Sequence, residues 1–134
     1  MIIVDTSVWI ELFRNTRSPY AAALKDLLEN RNTEIVLTDI ILMEILQGIS
    51  DDKVFEEIKH YLLEFPIIEA RAPATYIHSA RLYRLCIRKG LTVRKSIDLL
   101  IAAIAIENRL EVFHRDRDFE TIAAVSQLRI YKHQ

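Results

Sequence analysis

The segment SIDLLIAAIAIEN, residues 96–108, is apolar around almost its whole circumference when wound as a helix. A helix with one apolar face can lie on a surface, but one apolar all round has to be enclosed. Its uninterrupted apolar run, Leu99 to Ile106, is far too short to cross a bilayer, so the protein itself must enclose it. A chain of 134 residues, 51% of them hydrophobic, is read as one domain, 1–134, with enough interior to do so. One residue conflicts with that burial. Asp98 stands among Ile97, Leu99, Leu100 and Ile101, and an unpaired buried charge is costly unless something compensates it.

The neighbouring segments indicate what surrounds this helix. MIIV reads as a strand, and DTS after it as the start of a helix through VWIELF. SPYAAALKDLLENR (18–31) is a helix with Ser18 as N-cap and Pro19 at its first position. EIVLT is a second strand, with Thr38 capping a helix DIILMEILQ that Gly48 stops. SDDKVFEEIKHYLLEF is an amphipathic helix, PIIEA a third strand, and ATYIHSARLYRLCIRK a long helix closed by Gly90. After the connector LTVRK and the enclosed helix come the strand LEVFH, a short helix ETIAAV and a strand LRIYK. Short apolar strands alternating with helices predict an α/β fold whose parallel sheet is covered on both faces. Two glycines and three prolines agree with a helix-rich chain and short connections.

Acids recur where such a sheet gathers its working groups, beyond the carboxyl ends of the strands. Asp5 directly follows the first strand, and Asp116 and Asp118 follow the strand LEVFH. Glu44 lies on an apolar helix with no lysine or arginine within a turn or two. Each acid alone has an ordinary explanation, as a turn residue, a helix cap or a dipole complement. As a set they are expected to converge on one sheet edge. Converged carboxylates protonate unless cations neutralise them, and the local sequence offers too few.

Mg²⁺ or Mn²⁺ suits such a ligand set, being a hard ion that prefers carboxylate oxygens. Zinc does not, because His60, His78, His114 and His133 form no ligand pattern. An open, acid-lined Mg²⁺ site suits phosphodiester hydrolysis, and no Gly-rich phosphate loop or nucleophile elbow competes. The single cysteine, Cys86, sits at helical spacing from Leu82 and is read as core in a reducing compartment. An acid at position 5 argues against a signal peptide, so the expectation is a soluble, cytoplasmic protein with no membrane partner.

The stretches IIVDTSVWIELF, TDIILMEILQGI and GLTVRKSIDLLIAAIAIENRLEVFHRDRDFETIA together resemble the PIN-domain ribonucleases, in particular the toxins of VapBC toxin–antitoxin modules. The resemblance implies a three-layer sandwich with a central parallel sheet flanked by helices. It also implies a Mg²⁺- or Mn²⁺-dependent endoribonuclease whose acidic quartet is Asp5, Glu44, Asp98 and Asp116. Asp5 and Asp98 would be direct metal ligands with Asp116 close behind, and Glu44 would act through water or a second ion. Thr6 or Ser7 would support the first carboxylate, and Asp118 would be an accessory acid or a cap. Partners implied by the family are an RNA substrate, a VapB-like antitoxin and a second copy of the chain. The antitoxin groove would fall along SPYAAALKDLLENR and IILMEILQG.

The net charge of −1 gives no global attraction to RNA, so a local basic surface has to supply it. Arg81, Arg84 and Arg88 at helical spacing, with Arg94 and Lys95 just before Asp98, are the residues expected to grip phosphates. Trp9 and Phe13, four apart on one helix, are read as core. Two rivals stand beside the nuclease: a binding module for RNA or protein with a structural metal, and a phosphotransfer enzyme with an aspartyl nucleophile in DTS.

Overall fold

The computed structural model describes residues 1–30 and 32–133. Arg31, which ends the expected 18–31 helix, and Gln134 lie outside the described residues. In chain order the elements are β1 (Ile2–Val4), α1 (Thr6–Phe13), α2 (Pro19–Glu29), β2 (Ile35–Thr38), α3 (Asp39–Gln47) and α4 (Asp52–Leu62). Then follow β3 (Ile67–Ile68), α5 (Ala74–Arg88), α6 (Ser96–Asn108), β4 (Glu111–Phe113), α7 (Arg117–Val125) and β5 (Arg129–Ile130). The strands form one sheet in the order β3-β2-β1-β4-β5, with every pair parallel. Helices flank it, as the alternation predicts.

β1 sits in the middle of the sheet. The chain leaves it toward β2 on one side and returns to it through β4 on the other, so the order reverses at β1. That reversal leaves a crevice beyond the strand ends, between β1 and β4, where open parallel sheets bind ligands. The register pairs Val4 with Phe113, and the Asp5 N–H donates to the Phe113 carbonyl at 2.8 Å, extending the pairing to the first acid.

α6 is enclosed as its composition requires: Leu99 and every residue from Ile101 to Ala105 are buried. The alanines at 102, 103 and 105 let neighbouring elements approach closely. The helix closes on Arg109 in the left-handed region (φ 55°), where the Leu110 N–H reaches the Ala105 carbonyl at 2.9 Å. That Schellman-type closure turns Leu110 into the core at the start of the path to β4, and the conformation costs a non-glycine residue roughly 1–2 kcal/mol.

Two local expectations change. Gly48 does end α3, but with φ −83° in the right-handed region, and a Cβ there would meet only ordinary contacts. Glycine's conformational freedom is therefore not what stops that helix, whereas Gly90, with φ 72°, does use it. The last helix begins at Arg117 rather than at Glu120, because Asp116 caps it by accepting the Asp118 N–H. Trp9 is wholly buried and stacked on Phe13, and Cys86 is buried with its thiol pushed up by desolvation, so all three pack as read.

Candidate metal centre

The tripeptide Asp5-Thr6-Ser7 organises the edge of the sheet. Asp5 caps α1, and its Oδ2 accepts from the Ser7 N–H at 3.0 Å and from the Ser7 hydroxyl at 2.6 Å. The same hydroxyl accepts the Arg115 N–H at 3.0 Å, pinning the loop after β4 to the start of α1. Thr6 turns the other way and donates to Glu44 Oε1 at 2.9 Å, reaching across to α3. Of the two hydroxyls expected to support the first carboxylate, Ser7 does so, while Thr6 orients Glu44 instead.

From the other elements come Asp98, on the first turn of α6, and Asp116 and Asp118, at the start of α7. One oxygen from each of these three lies within 4.8 Å of the others. Asp118 Oδ2 accepts the backbone N–H groups of both Arg94 and Lys95 at 3.0 Å. It thereby anchors the connector that leads into α6, a task compatible with the accessory role expected of it. Asp98 Oδ2 is buried and has no hydrogen-bond partner.

The electrostatics follow from this crowding. Burial first, and then the charges of Asp5 and Asp116, push Asp98 up to about 8. Burial also raises Asp5, against the pull of its Ser7 hydrogen bonds, and raises Glu44 against that of Thr6. Asp116 goes the opposite way: burial alone would raise it, but Lys95 and the Asp118 N–H hold it below the usual range. Lys95 Nζ lies 2.6 Å from Asp116 Oδ2. One cation thus serves one acid of the cluster, and Asp98 keeps an unpartnered oxygen.

Crowded, buried oxygen donors without a matching number of cations are what a hard divalent ion neutralises. The residues present fit Mg²⁺ or Mn²⁺. The expected basic residues separate into two groups. Arg94 and Lys95 line an open cleft of about 740 Å³ over Asp116, together with Arg14, Arg115 and Arg117. Arg81, Arg84 and Arg88 are exposed on α5 and do not line that cleft. Arg115 and Arg117 flank Asp116 in RDRDF, so adjacency to an expected acid was the signal that could have found them, whereas Arg14 carries no such signal in the sequence. Arg115 is fixed by Glu11, whose Oε1 lies 2.6 Å from its guanidinium.

A parallel sheet with these carboxylates at its point of reversal defines the class. The PIN domain model matches residues 2–125, and the chain belongs to the PIN domain family. Ribonuclease VapC11 of Mycobacterium tuberculosis is 37% identical over 128 residues, spanning 96% of each chain. Among solved structures, VapBC2 from Rickettsia felis bound to a DNA fragment from its promoter matches with a TM-score of 0.76, 20% identity and full coverage of both chains. A toxin–antitoxin complex from Klebsiella pneumoniae matches at TM-score 0.71 and 25% identity, over 97% of this chain and 100% of the other. No helix among the described residues is long and apolar enough to cross a membrane.

Proposed function

We propose that this chain is a ribonuclease toxin of the VapC type, hydrolysing phosphodiester bonds in RNA with the help of Mg²⁺ or Mn²⁺. The observation that carries the reading is the cluster of Asp98, Asp116 and Asp118 carboxylates, one of whose members, buried Asp98, keeps an oxygen with no partner. Asp5, Asp98 and Asp116 would hold the ion. When bound, the ion would acidify a water molecule and offset charge on the phosphoryl oxygens.

The chain's own residues set the geometry. Ser7 holds the Asp5 carboxylate and the loop after β4 in one hydrogen-bonded unit. Thr6 aims Glu44 at the same space, where it can orient or deprotonate a water. Asp98 is held rigid because the helix that carries it is packed on all sides. The cations of the cleft (Arg14, Arg94, Arg115 and Arg117) would receive RNA phosphates on approach to the acids. A basic rim around an acidic centre lets a polyanion dock without first meeting the carboxylates.

The proposal extends to an antitoxin partner, a homodimer and a cytoplasmic location. Of the two helices expected to form the antitoxin groove, α3 exposes Met43 while α2 exposes no large apolar side chain among its described residues, and Val54, Tyr61 and Leu63 on α4 and its end add apolar surface that an antitoxin helix could cover. Incubating the purified chain with mixed RNA and Mn²⁺, then with EDTA, tests the enzymatic core. Cuts that EDTA abolishes support the nuclease. No cuts across several RNAs would favour the rival, a binding module with a structural metal.

A further inference from the structure

Across the His114–Arg117 loop from the acids lies a second recess, of about 370 Å³. Arg115, Asp116 and Arg117 form walls of both the recess and the cleft over Asp116, so the two adjoin along this loop. Its floor is aromatic. Buried Phe113 has Tyr131, His133 and Tyr20 around it, with ring centroids 5.1, 5.2 and 6.4 Å away. These three outer rings remain partly exposed and line the recess. The other aromatic group built on a buried central ring, Trp9 with Phe13, Tyr61 and Phe65, differs in that, among the described residues, no arginine or lysine is stacked on it.

The rim carries Arg115, Arg117 and Lys132 against Asp116 and Glu120. The Arg115 guanidinium lies 5.8 Å from the centre of the Tyr20 ring, Lys132 lies 3.7 Å from Glu120, and Arg117 is exposed at the edge. His114 adds a largely buried imidazole to the wall. Its Nδ1 accepts the Asp116 N–H at 3.0 Å, so in the neutral ring Nε2 carries the proton. That side chain is 7% exposed, and Nε2 has no hydrogen-bond partner, the nearest carboxylate oxygen being Glu120 Oε1 at 3.4 Å.

Single-stranded RNA is recognised by splaying its bases onto aromatic rings and guanidinium planes while cations follow the backbone. A recess of this volume lies within the roughly 300–1,000 Å³ of small-ligand sites. We infer that the recess framed by Tyr20, Tyr131 and His133 is a nucleobase-binding subsite. It would hold a base adjoining the scissile phosphate, with Arg115 and Arg117 leading the connecting phosphates to the acids. The inference rests on the ribonuclease reading and deepens it, making these rings determinants of sequence preference.

The test compares wild type with Tyr131→Leu, His133→Leu and Tyr131→Phe. Fluorescence anisotropy with labelled short oligoadenylate, oligocytidylate and oligouridylate in EDTA measures binding. Mapping cut positions on a long RNA with Mn²⁺ measures preference. Loss of a stacking ring should weaken binding by about 5- to 150-fold, most for adenylate, and level the preference among bases. Tyr131→Phe should restore both. Wild-type affinities and cut positions in the two leucine variants, with unchanged melting temperatures, would overturn the subsite. So would a wild type that binds none of the oligonucleotides. If Tyr131→Leu melts early, His133→Leu decides, because Tyr131 is still tied to the sheet by its N–H to the Val112 carbonyl at 2.9 Å, whereas His133 lies three residues past the end of β5. Failure of the wild type to cut RNA would instead sink the nuclease reading, and base-dependent binding lost with the rings would still be visible in EDTA.

Discussion

Helix α6 carries an acid near each end, and the two are treated in opposite ways. Glu107, near the C-terminal end, accepts from the Thr75 hydroxyl at 2.8 Å and meets His78 Nδ1 at 2.8 Å. Burial alone would raise it, but those bonds hold it below its ordinary value. Asp98, in the first turn, has an oxygen with no partner and other carboxylates as neighbours, and is pushed up to about 8. The helix dipole argues the other way at both ends, favouring an anion at Asp98 and disfavouring one at Glu107. It is overridden because its effect is about 0.3–1 kcal/mol, less than the roughly 1.4 kcal/mol of a single pH unit, whereas burial and the neighbouring charges push Asp98 up to about 8. An acid whose partners are all supplied by the fold is structural. One left short by the fold, on a helix that keeps it rigid, is where the proposed ion would bind.

The sharpest way to break this contrast is Asp98→Asn. RNA cleavage with Mn²⁺ should fall by roughly 1,000-fold, as for loss of a central electrostatic group, while the metal-free protein melts at the same temperature or higher. Retained cleavage, measured on labelled RNA, would remove Asp98 from the site. The same acid sets a pH dependence. Because its folded value is raised, its contribution to stability is complete below about pH 4 and is lost as pH rises through about 8. Denaturant titrations of the metal-free protein should therefore show stability falling across that window, by up to about 1.4 kcal/mol per pH unit. Asp98→Asn should flatten the curve.

At the other end of α6, Glu107→Ala should cost about 1–3 kcal/mol, since it leaves the buried Thr75 hydroxyl without its acceptor. Cleavage per folded molecule should stay unchanged, and a loss of activity beyond the loss of stability would erase the distinction between the two acids. Glu107 also has the opposite pH signature. Its contribution is present above its ordinary 4.5 and lost as pH falls through its lowered folded value. The smallest effect belongs to Lys95→Met. Its side chain is 59% exposed, so releasing Asp116 should tighten Mn²⁺ binding by only about 1.5- to 5-fold in calorimetry. Weaker Mn²⁺ binding would mean that Lys95 supports the ion site rather than competing with it.

Much of this was legible in the chain because the signals are local. Ser18 and Thr38 cap the helices they were read to cap, Gly90 closes α5, and five strands alternate with helices as the apolar runs indicate. The acids were findable because a carboxylate on an apolar helix or at a strand end stands out against its own neighbours. The N-terminus of α7 was misread for a related reason. RDRDF is polar enough to pass for a loop, and only the Asp116 cap reveals that the helix has already begun.

What local reading could not supply are the pairings between distant segments. Thr6 reaches Glu44 across 38 positions, Lys95 reaches Asp116 across 21, and Arg115 reaches Ser7 across 108. The basic cleft and the aromatic recess beside it likewise draw their walls from elements far apart in the chain. Periodicity, caps and strand-end acids belong to the residues themselves and to neighbours a turn away, so the amino-acid order specifies them directly. Which acid receives a lysine, which hydroxyl serves which carboxylate, and which rings remain open beside a phosphate path follow from the order and register of β1, β4 and β5. Only the packed sheet brings those strands together.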